Sequence, residues 1–383
     1  MSLDVRCRCG QVYHADPAHA GRRIRCRCGR TLKIPRPGRL LRLPRIRVRR
    51  PKFLRFPKWA VALARVAVWA YLSTALLATL VLWWLGDEWW LATVMLFGHR
   101  WLLLLPAFPL AVAALAIRAR VFPVVLLASL VVLGPFMGFR TGWRAWLRGA
   151  AEPELTLATF NVEGNANPRT DEIPGVLESL GADLMLFQEC TARLAEAAAR
   201  LEAWAVWRVR GLCMASRYPI DSSAVMEEFE VSAGSIGNVA FHVVRHPAGP
   251  LRVGLLHLET PRSGLAGLRY RGELSQLRRN LIMREGGSSR ASRWLDGLGA
   301  EIFAGDFNMP VESRIYRRYW GDCANAFSRT GRGFGYTRVL LRFSVRIDHV
   351  LTCRGWEAVR TWVGPDLGSD HLPVIAELRR RPG

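Results

Sequence analysis

At 383 residues the chain can hold two domains, and half of its residues are hydrophobic. The formal net charge of +23 is concentrated at the start: Met1 to Lys58 carries 18 Lys and Arg against Asp4 and Asp16. Ala151 to Gly383 is close to neutral, with 29 basic and 27 acidic residues, so overall basicity gives no warrant for nucleic-acid binding by the C-terminal part.

The first predicted element is a small metal knuckle over residues 1–35. Cys7-Arg8-Cys9-Gly10 and Cys26-Arg27-Cys28-Gly29 offer four soft thiolates, the complement a tetrahedral Zn2+ needs, and each glycine lets the backbone turn around the ion. This looks like a zinc ribbon, although one residue rather than two separates each pair. Two disulfides are the rival reading. The ribbon is expected to bind a cytoplasmic partner or nucleic acid, with a plain folded stub as the alternative. Cys190, Cys213, Cys323 and Cys353 are scattered singly and read as buried hydrophobes.

A basic Pro- and Arg-rich linker, 36–58, precedes three strongly apolar stretches within 59–148: Trp59 to Leu85, Leu91 to Ile117 and Val121 to Phe139. A helix needs about 20 apolar residues to cross a bilayer, and each stretch approaches or exceeds that. Trp83, Trp84, Trp89 and Trp90 suit an interfacial belt, and Arg65 can snorkel. His99, Arg100, Pro106 and Pro109 interrupt the second stretch, leaving a kinked span or a re-entrant loop open. The expected protein is therefore multi-pass in the plasma or inner membrane. Its basic N-terminus is cytoplasmic, Gly86-Asp87-Glu88 faces out, Arg118-Ala119-Arg120 faces in, and the C-terminal domain lies on the outer, periplasmic or extracellular side. Arg140, Arg144 and Arg148 oppose this placement, and a re-entrant second stretch would reverse it. No cleavable signal is apparent.

The C-terminal domain, 151–383, carries five short segments in which Asn, Asp, Glu or His ends an apolar run that reads as a buried strand: Thr159-Phe160-Asn161-Val162, Phe187-Gln188-Glu189, Gly305-Asp306-Phe307-Asn308, Arg346-Ile347-Asp348-His349-Val350 and Ser369-Asp370-His371-Leu372-Pro373. Leu155 to Asn161, Asp183 to Gln188, Leu251 to Leu258 and Glu301 to Ala304 read as strands. Ile173 to Leu180 and Thr191 to Glu202 read as helices. Asp306 and Asn308 stand two residues apart, which in extended geometry points both side chains the same way; an Asx turn is the alternative. His257 in Leu256-His257-Leu258 is by itself as well explained by a core histidine, and Glu189 by a helix start.

In this order and spacing the segments resemble the endonuclease/exonuclease/phosphatase superfamily, from about Glu154 to Leu378. The resemblance implies a four-layer α/β sandwich of the deoxyribonuclease I type and a hydrolase cleaving phosphoesters with Mg2+ or Mn2+. It implies that Glu189 holds the metal with help from Asn161 and Asp370, and that Asp306 and Asn308 orient and activate water. Asp348 would fix the tautomer of His371, which accepts a proton or stabilises the phosphorane, and His257 would protonate the leaving oxygen. Ser216-Arg217-Tyr218-Pro219 also matches, as scaffold, and His349 is read as structural.

A basic helical region holds Arg262, Arg269, Arg271, Arg278, Arg279, Arg284, Arg290 and Arg293. It reads equally as a phosphate- or lipid-tracking surface and as a solvated helix face. The expected substrate is a nucleic acid, with a phospholipid or sphingomyelin headgroup as the alternative. A non-catalytic membrane sensor or anchor is a third possibility.

Overall fold

The computed structural model describes residues 3–34, 56–117, 120–143, 152–226, 238–271, 274–340 and 343–381. Most of the predicted linker, Arg118, Ala119, Arg144 and Arg148 lie outside the described residues, as do the side chains of Arg269 and Arg271. The chain divides into two compact units, Met1–Phe56 and Pro57–Gly383.

In the first unit, strands β1 (Leu3–Arg6) and β2 (Val12–Ala15) form one hairpin, and β3 (Arg23–Arg25) and β4 (Thr31–Lys33) another. Each turn ends on a glycine with positive φ, Gly10 at 93° and Gly29 at 85°, so each Cys-X-Cys folds back on itself. The four sulfurs meet: Cys7 Sγ is 3.7 Å from Cys28 Sγ, and Cys9 Sγ is 3.5 Å from Cys26 Sγ. All four thiols are free, so the rival disulfide reading does not hold here.

The second unit opens with helix α1 (Lys58–Trp84), 27 residues or about 40 Å long. It is the one helix among the described residues long and apolar enough to cross a bilayer. The second expected span is broken. Helix α2 (Trp90–Phe97) meets the segment leading into α3 (Ala107–Ala116) at a bend of 91°. The bend falls at Gly98, where a Cβ would come 2.4 Å from the Val94 carbonyl oxygen, and the Arg100 guanidinium turns back onto the carbonyls of Met95 and Leu96. The third stretch is shorter, with α4 (Phe122–Val131) ending in a wide turn at Pro135. Three independent spans are thus not what the helices form.

The remaining chain builds two mixed six-stranded sheets. The first runs β17 (Trp356–Val363), β18 (Val374–Arg380), β5 (Leu155–Asn161), β6 (Leu184–Gln188), β8 (Leu212–Ser216), β7 (Ala205–Val209). The second runs β13 (Ala324–Asn325), β16 (Asp348–Thr352), β12 (Ile302–Asp306), β11 (Gly249–His257), β10 (Asn238–His246), β9 (Ile220–Val225). One apolar layer, including Leu157, Leu186 and Met214 from the first sheet and Val253, Leu255 and Ile302 from the second, is buried between them. Helices α5 (Ile173–Ser179) and α6 (Ala192–Ala199) cover the outer face of the first sheet. Helices α7 (Arg262–Arg271) and α8 (Leu274–Gly297) follow β11, and α8 with α9 (Arg314–Tyr319) covers the second sheet. The expected four layers are present, with helix and strand limits within a few residues of those predicted.

Two features depart from expectation. The four scattered cysteines are paired, Cys190 with Cys213 and Cys323 with Cys353. Sequence separations of 23 and 30 carry no spacing signature; the sheets bring the partners together. The apolar helices also form one body with the sandwich instead of a separate membrane domain. Val345 and Ile347 pack among Tyr71, Leu72, Phe97 and Phe136, and two buried ion pairs cross the junction: Arg284 to Asp87 at 2.9 Å and Arg100 to Glu312 at 3.1 Å. Arg284, expected on a basic surface, is instead buried by this contact.

Candidate active site

Each sheet contains a parallel pair, and parallel strands end on the same rim. Asn161 and Gln188 are register partners at the end of β5 and β6, while His257 and Asp306 are partners at the end of β11 and β12. Asp348 starts the antiparallel β16 opposite Asp306, and His371 lies just before β18. Six chain segments thereby deliver polar ends to one cleft. Its volume is about 300 Å³, and it is lined by Asn161, Glu163, Glu189, His257, Leu258, Glu259, Thr260, Arg262, Asp306, Asn308, Arg338, Asp370 and His371.

Local backbone geometry explains several motif residues. Gly305 has φ 149°, and a Cβ there would lie 1.9 Å from the Leu256 carbonyl oxygen, so only glycine lets β11 and β12 approach this closely. Gln188 is buried and donates to Thr159 Oγ1 at 3.0 Å, locking β6 to β5. Glu189 then takes a left-handed conformation, φ 52°, turning the chain out of the sheet. The next residue, Cys190, is anchored by its disulfide to Cys213.

Asp306 Oδ2 is the centre of the constellation. It accepts from Asn161 Nδ2 at 3.1 Å and lies 3.9 Å from both His257 Nε2 and His371 Nε2. Asn161 Nδ2 also reaches Glu189 Oε1 at 3.2 Å, and that oxygen is 3.9 Å from His257 Nε2. His371 Nδ1 bonds Asp348 Oδ2 at 2.9 Å. Asp348 itself is buried behind the imidazole.

Some positions differ from the extended reading of the motifs. Asn308 has φ 52°, its backbone N–H bonds Asp306 Oδ1 at 2.8 Å, and its amide donates to the Leu258 carbonyl. This is the Asx turn, so the two side chains do not lie in register as on a strand. Asn161 offers its NH2 group to the carboxylates, while its Oδ1 accepts from Glu163 N–H. Asp370 Oδ2 is held by Arg338 Nη2 at 2.8 Å. Glu163, Glu259 and Arg338 were not singled out in the sequence; none belongs to a motif, and only the fold brings them to the cleft.

The electrostatics follow from burial and crowding. Burial opposes protonation of His371, but the Asp348 and Asp306 carboxylates, the Asp348 hydrogen bond and Asp370 outweigh it and raise its pKa to about 9. Burial also raises Asp306, with Asp348 adding to the effect and the two imidazoles opposing it. His349 is driven down to about 4 by burial and Arg346; its ring nitrogens contact the Met309 carbonyl and the Asn325 amide.

Because the folded-state pKa of His371 is raised, its protonation stabilises the fold fully below about 6.5, and this contribution is lost as pH climbs through about 9. Metal-free wild type should therefore lose up to about 3 kcal/mol between about pH 7 and 10 that His371→Asn lacks. Denaturant titrations at a series of pH values read this difference; a constant gap between the two proteins contradicts it.

In the N-terminal unit, the Cys28 backbone amide and the Tyr13 hydroxyl, outweighing burial, bring the Cys26 thiol down to about 6. The four cysteines lie within ligand range of one point, as do Asp306, Asp348 and His371 in the cleft.

Among curated proteins none matches the chain. Similar solved structures include an endonuclease/exonuclease/phosphatase from Beutenbergia cavernae, 18% identical, covering 59% of this chain and 71% of that one, with a TM-score of 0.45. D. rerio TDP2, complexed with single strand DNA product, is 15% identical, with 59% and 98% covered and a TM-score of 0.46. A Bacteroides thetaiotaomicron mannosyl-6-phosphatase is 18% identical, with 59% and 99% covered and a TM-score of 0.45. The Endonuclease/Exonuclease/phosphatase family model matches residues 158–371, over half of the chain and every residue that lines the cleft, and the chain belongs to that family.

Proposed function

We propose that the chain is a membrane-anchored, Mg2+-dependent phosphodiester hydrolase. The observation that carries this reading is the convergence of Glu189, Asn161, His257, Asp306, Asp348 and His371 on one cleft. The donor set suits a hard divalent cation: Glu189 is a half-exposed carboxylate at the rim, and Mg2+ takes few protein oxygens, completing its shell with water and phosphate. When bound, the ion neutralises charge on the phosphoryl group. Glu189 would hold it, with Asp370 as a further carboxylate lining the same cleft.

In this reading Asp306 orients the attacking water and takes its proton, helped by the Asn161 amide that fixes the carboxylate. Asn308 braces the loop through Leu258 and presents its side chain to the cleft. His371, held by Asp348, stabilises the charged phosphorane, and His257 delivers a proton to the departing alcohol.

The choice of substrate turns on where the cleft sits. Arg262 of helix α7 and Arg338 line the cleft, and Leu265 of the same helix and Val345 pack against the apolar helices. That position favours a phosphodiester carried at the bilayer surface, such as a phospholipid or sphingomyelin headgroup, over the nucleic acid the motifs suggest. α1 supplies the anchor. Two disulfides in the catalytic part and four free thiols in the N-terminal unit fit an oxidising outer side and a reducing cytoplasmic side.

The deciding experiment assays the chain with Mg2+ against lipid vesicles, DNA, RNA and bis(p-nitrophenyl) phosphate. Turnover of lipid above nucleic acid is expected; nuclease activity alone reverses the substrate choice, and no turnover refutes the enzyme. Intact cells should hydrolyse bis(p-nitrophenyl) phosphate, which does not cross bilayers, if the domain faces out.

We propose further that Cys7, Cys9, Cys26 and Cys28 hold one structural Zn2+, making the N-terminal unit a ribbon able to engage a cytoplasmic partner. Elemental analysis should find one zinc per chain in wild type and none in Cys7→Ser/Cys28→Ser; equal zinc in both rules the site out.

A further inference from the structure

We infer that Arg338 is a substrate-binding residue that donates to a non-bridging oxygen of the phosphoryl group; this rests on the phosphoester reading above. Arg338 begins β14 (Arg338–Leu340), which pairs with β15 (Phe343–Val345) in a hairpin outside both six-stranded sheets.

The hairpin and Thr337 just before it are bound to the two segments that carry Asp348 and His371. Thr337 Oγ1 accepts from the N–H groups of Ile347 and Asp348, each at 3.1 Å. Thr337 O accepts from Leu372 N–H, Asp370 O accepts from Val339 N–H, and Arg338 bridges His371. The bonds that place Asp348 and His371 therefore also place Arg338.

Its guanidinium is preorganised for an anion. Nη2 bonds Asp370 Oδ2 at 2.8 Å, the side chain is 13% exposed, and Nε is buried with no acceptor. An arginine has five N–H donors in a planar fork that matches phosphate oxygens. The described lining of the cleft is rich in carboxylates, with Glu163, Glu189, Glu259, Asp306 and Asp370 against two guanidinium groups, Arg262 and Arg338. A phosphate anion entering such a site needs a fixed cation. Asp370 joins Arg338 to the imidazole: its Oδ2 accepts from the guanidinium, and its Oδ1 lies 3.7 Å from His371 Nε2. A phosphoryl group beside His371 would have an oxygen within reach of the guanidinium.

A purely structural Arg338 would serve only as the counter-ion of Asp370. The test separates the roles using the full chain in detergent with Mg2+: steady-state turnover of bis(p-nitrophenyl) phosphate, and calorimetric titration with inorganic phosphate. In Arg338→Ala, KM and the phosphate Kd are expected to rise roughly tenfold or more, with a smaller fall in kcat, and Arg338→Lys should recover part of both. KM and Kd within twofold of wild type in Arg338→Ala overturn the proposal while leaving the enzyme reading intact. Should the alanine variant fail to fold, Arg338→Lys decides, because it keeps the charge and loses the fork: a three- to tenfold rise supports the role and wild-type values overturn it. If wild type turns over no phosphodiester, the enzyme reading fails, and the phosphate titration alone decides for or against Arg338.

Discussion

Replacing His371 with Asn, or Glu189 with Gln, is expected to lower Mg2+-dependent phosphodiester turnover by at least about 10²-fold while leaving the fold intact. The expectation rests on position. His371 has Asp348 on one nitrogen at 2.9 Å and Asp306 3.9 Å from the other, so the imidazole is held in one orientation between two buried carboxylates. Asparagine can keep part of the Asp348 contact but cannot carry the charge. Glu189 is more exposed and few side-chain contacts depend on it, so Gln there removes the charge with little disturbance. Initial rates on purified variants, with far-ultraviolet circular dichroism to confirm folding, give the answer. Turnover within threefold of wild type for either variant would remove that residue from the machinery.

The second large effect concerns the junction between the apolar helices and the sandwich. Asp87 is buried and its carboxylate accepts from Arg284 Nη1 at 2.9 Å, Ser313 Oγ at 2.5 Å and Arg314 N–H at 3.1 Å. Arg284 is equally buried, and its Nε and Nη2 have no other partner. Asp87→Ala leaves a guanidinium charge inside the protein without compensation, a loss of about 3–5 kcal/mol. Truncating both partners together, as Asp87→Ala/Arg284→Met, should restore most of it, because the penalty comes from the stranded charge and not from the missing attraction. Thermal and denaturant unfolding in detergent would show this; a single variant within about 1 kcal/mol of wild type would mean the junction opens to water. Ser313 Oγ also accepts from Tyr316 N–H, so the junction is tied to the start of α9.

Much of the catalytic half was legible because its strands are uniformly buried and end in chemically distinctive residues. Leu155–Asn161 was placed to the residue, and the Asp348 to His371 contact implied by family resemblance appears as a 2.9 Å hydrogen bond. The reading failed where backbone conformation departs from the pattern. Asn308 adopts φ 52°, which strand periodicity cannot indicate, and the Asx turn took the place of two side chains in register. It failed again where partners are remote. Nothing around Asp87 says that Arg284, 197 positions later, will neutralise it, or which residue Arg100 will meet.

The two-sheet sandwich was implied by family resemblance, while the sequence by itself determined the four-thiol knuckle, the apolar helical stretch at α1, the buried strands and the set of groups at their ends. These rest on short-range rules, namely ligand spacing, hydropathy and alternation, which a chain displays locally. Tertiary structure alone decided the disulfide pairing, the bend at Gly98, the union of the helices with the sandwich and the arrival of Arg338 in the cleft. Each of these joins segments through burial of charge or closure of a sheet, and the free energy of such contacts exists only once distant parts of the chain exclude water together.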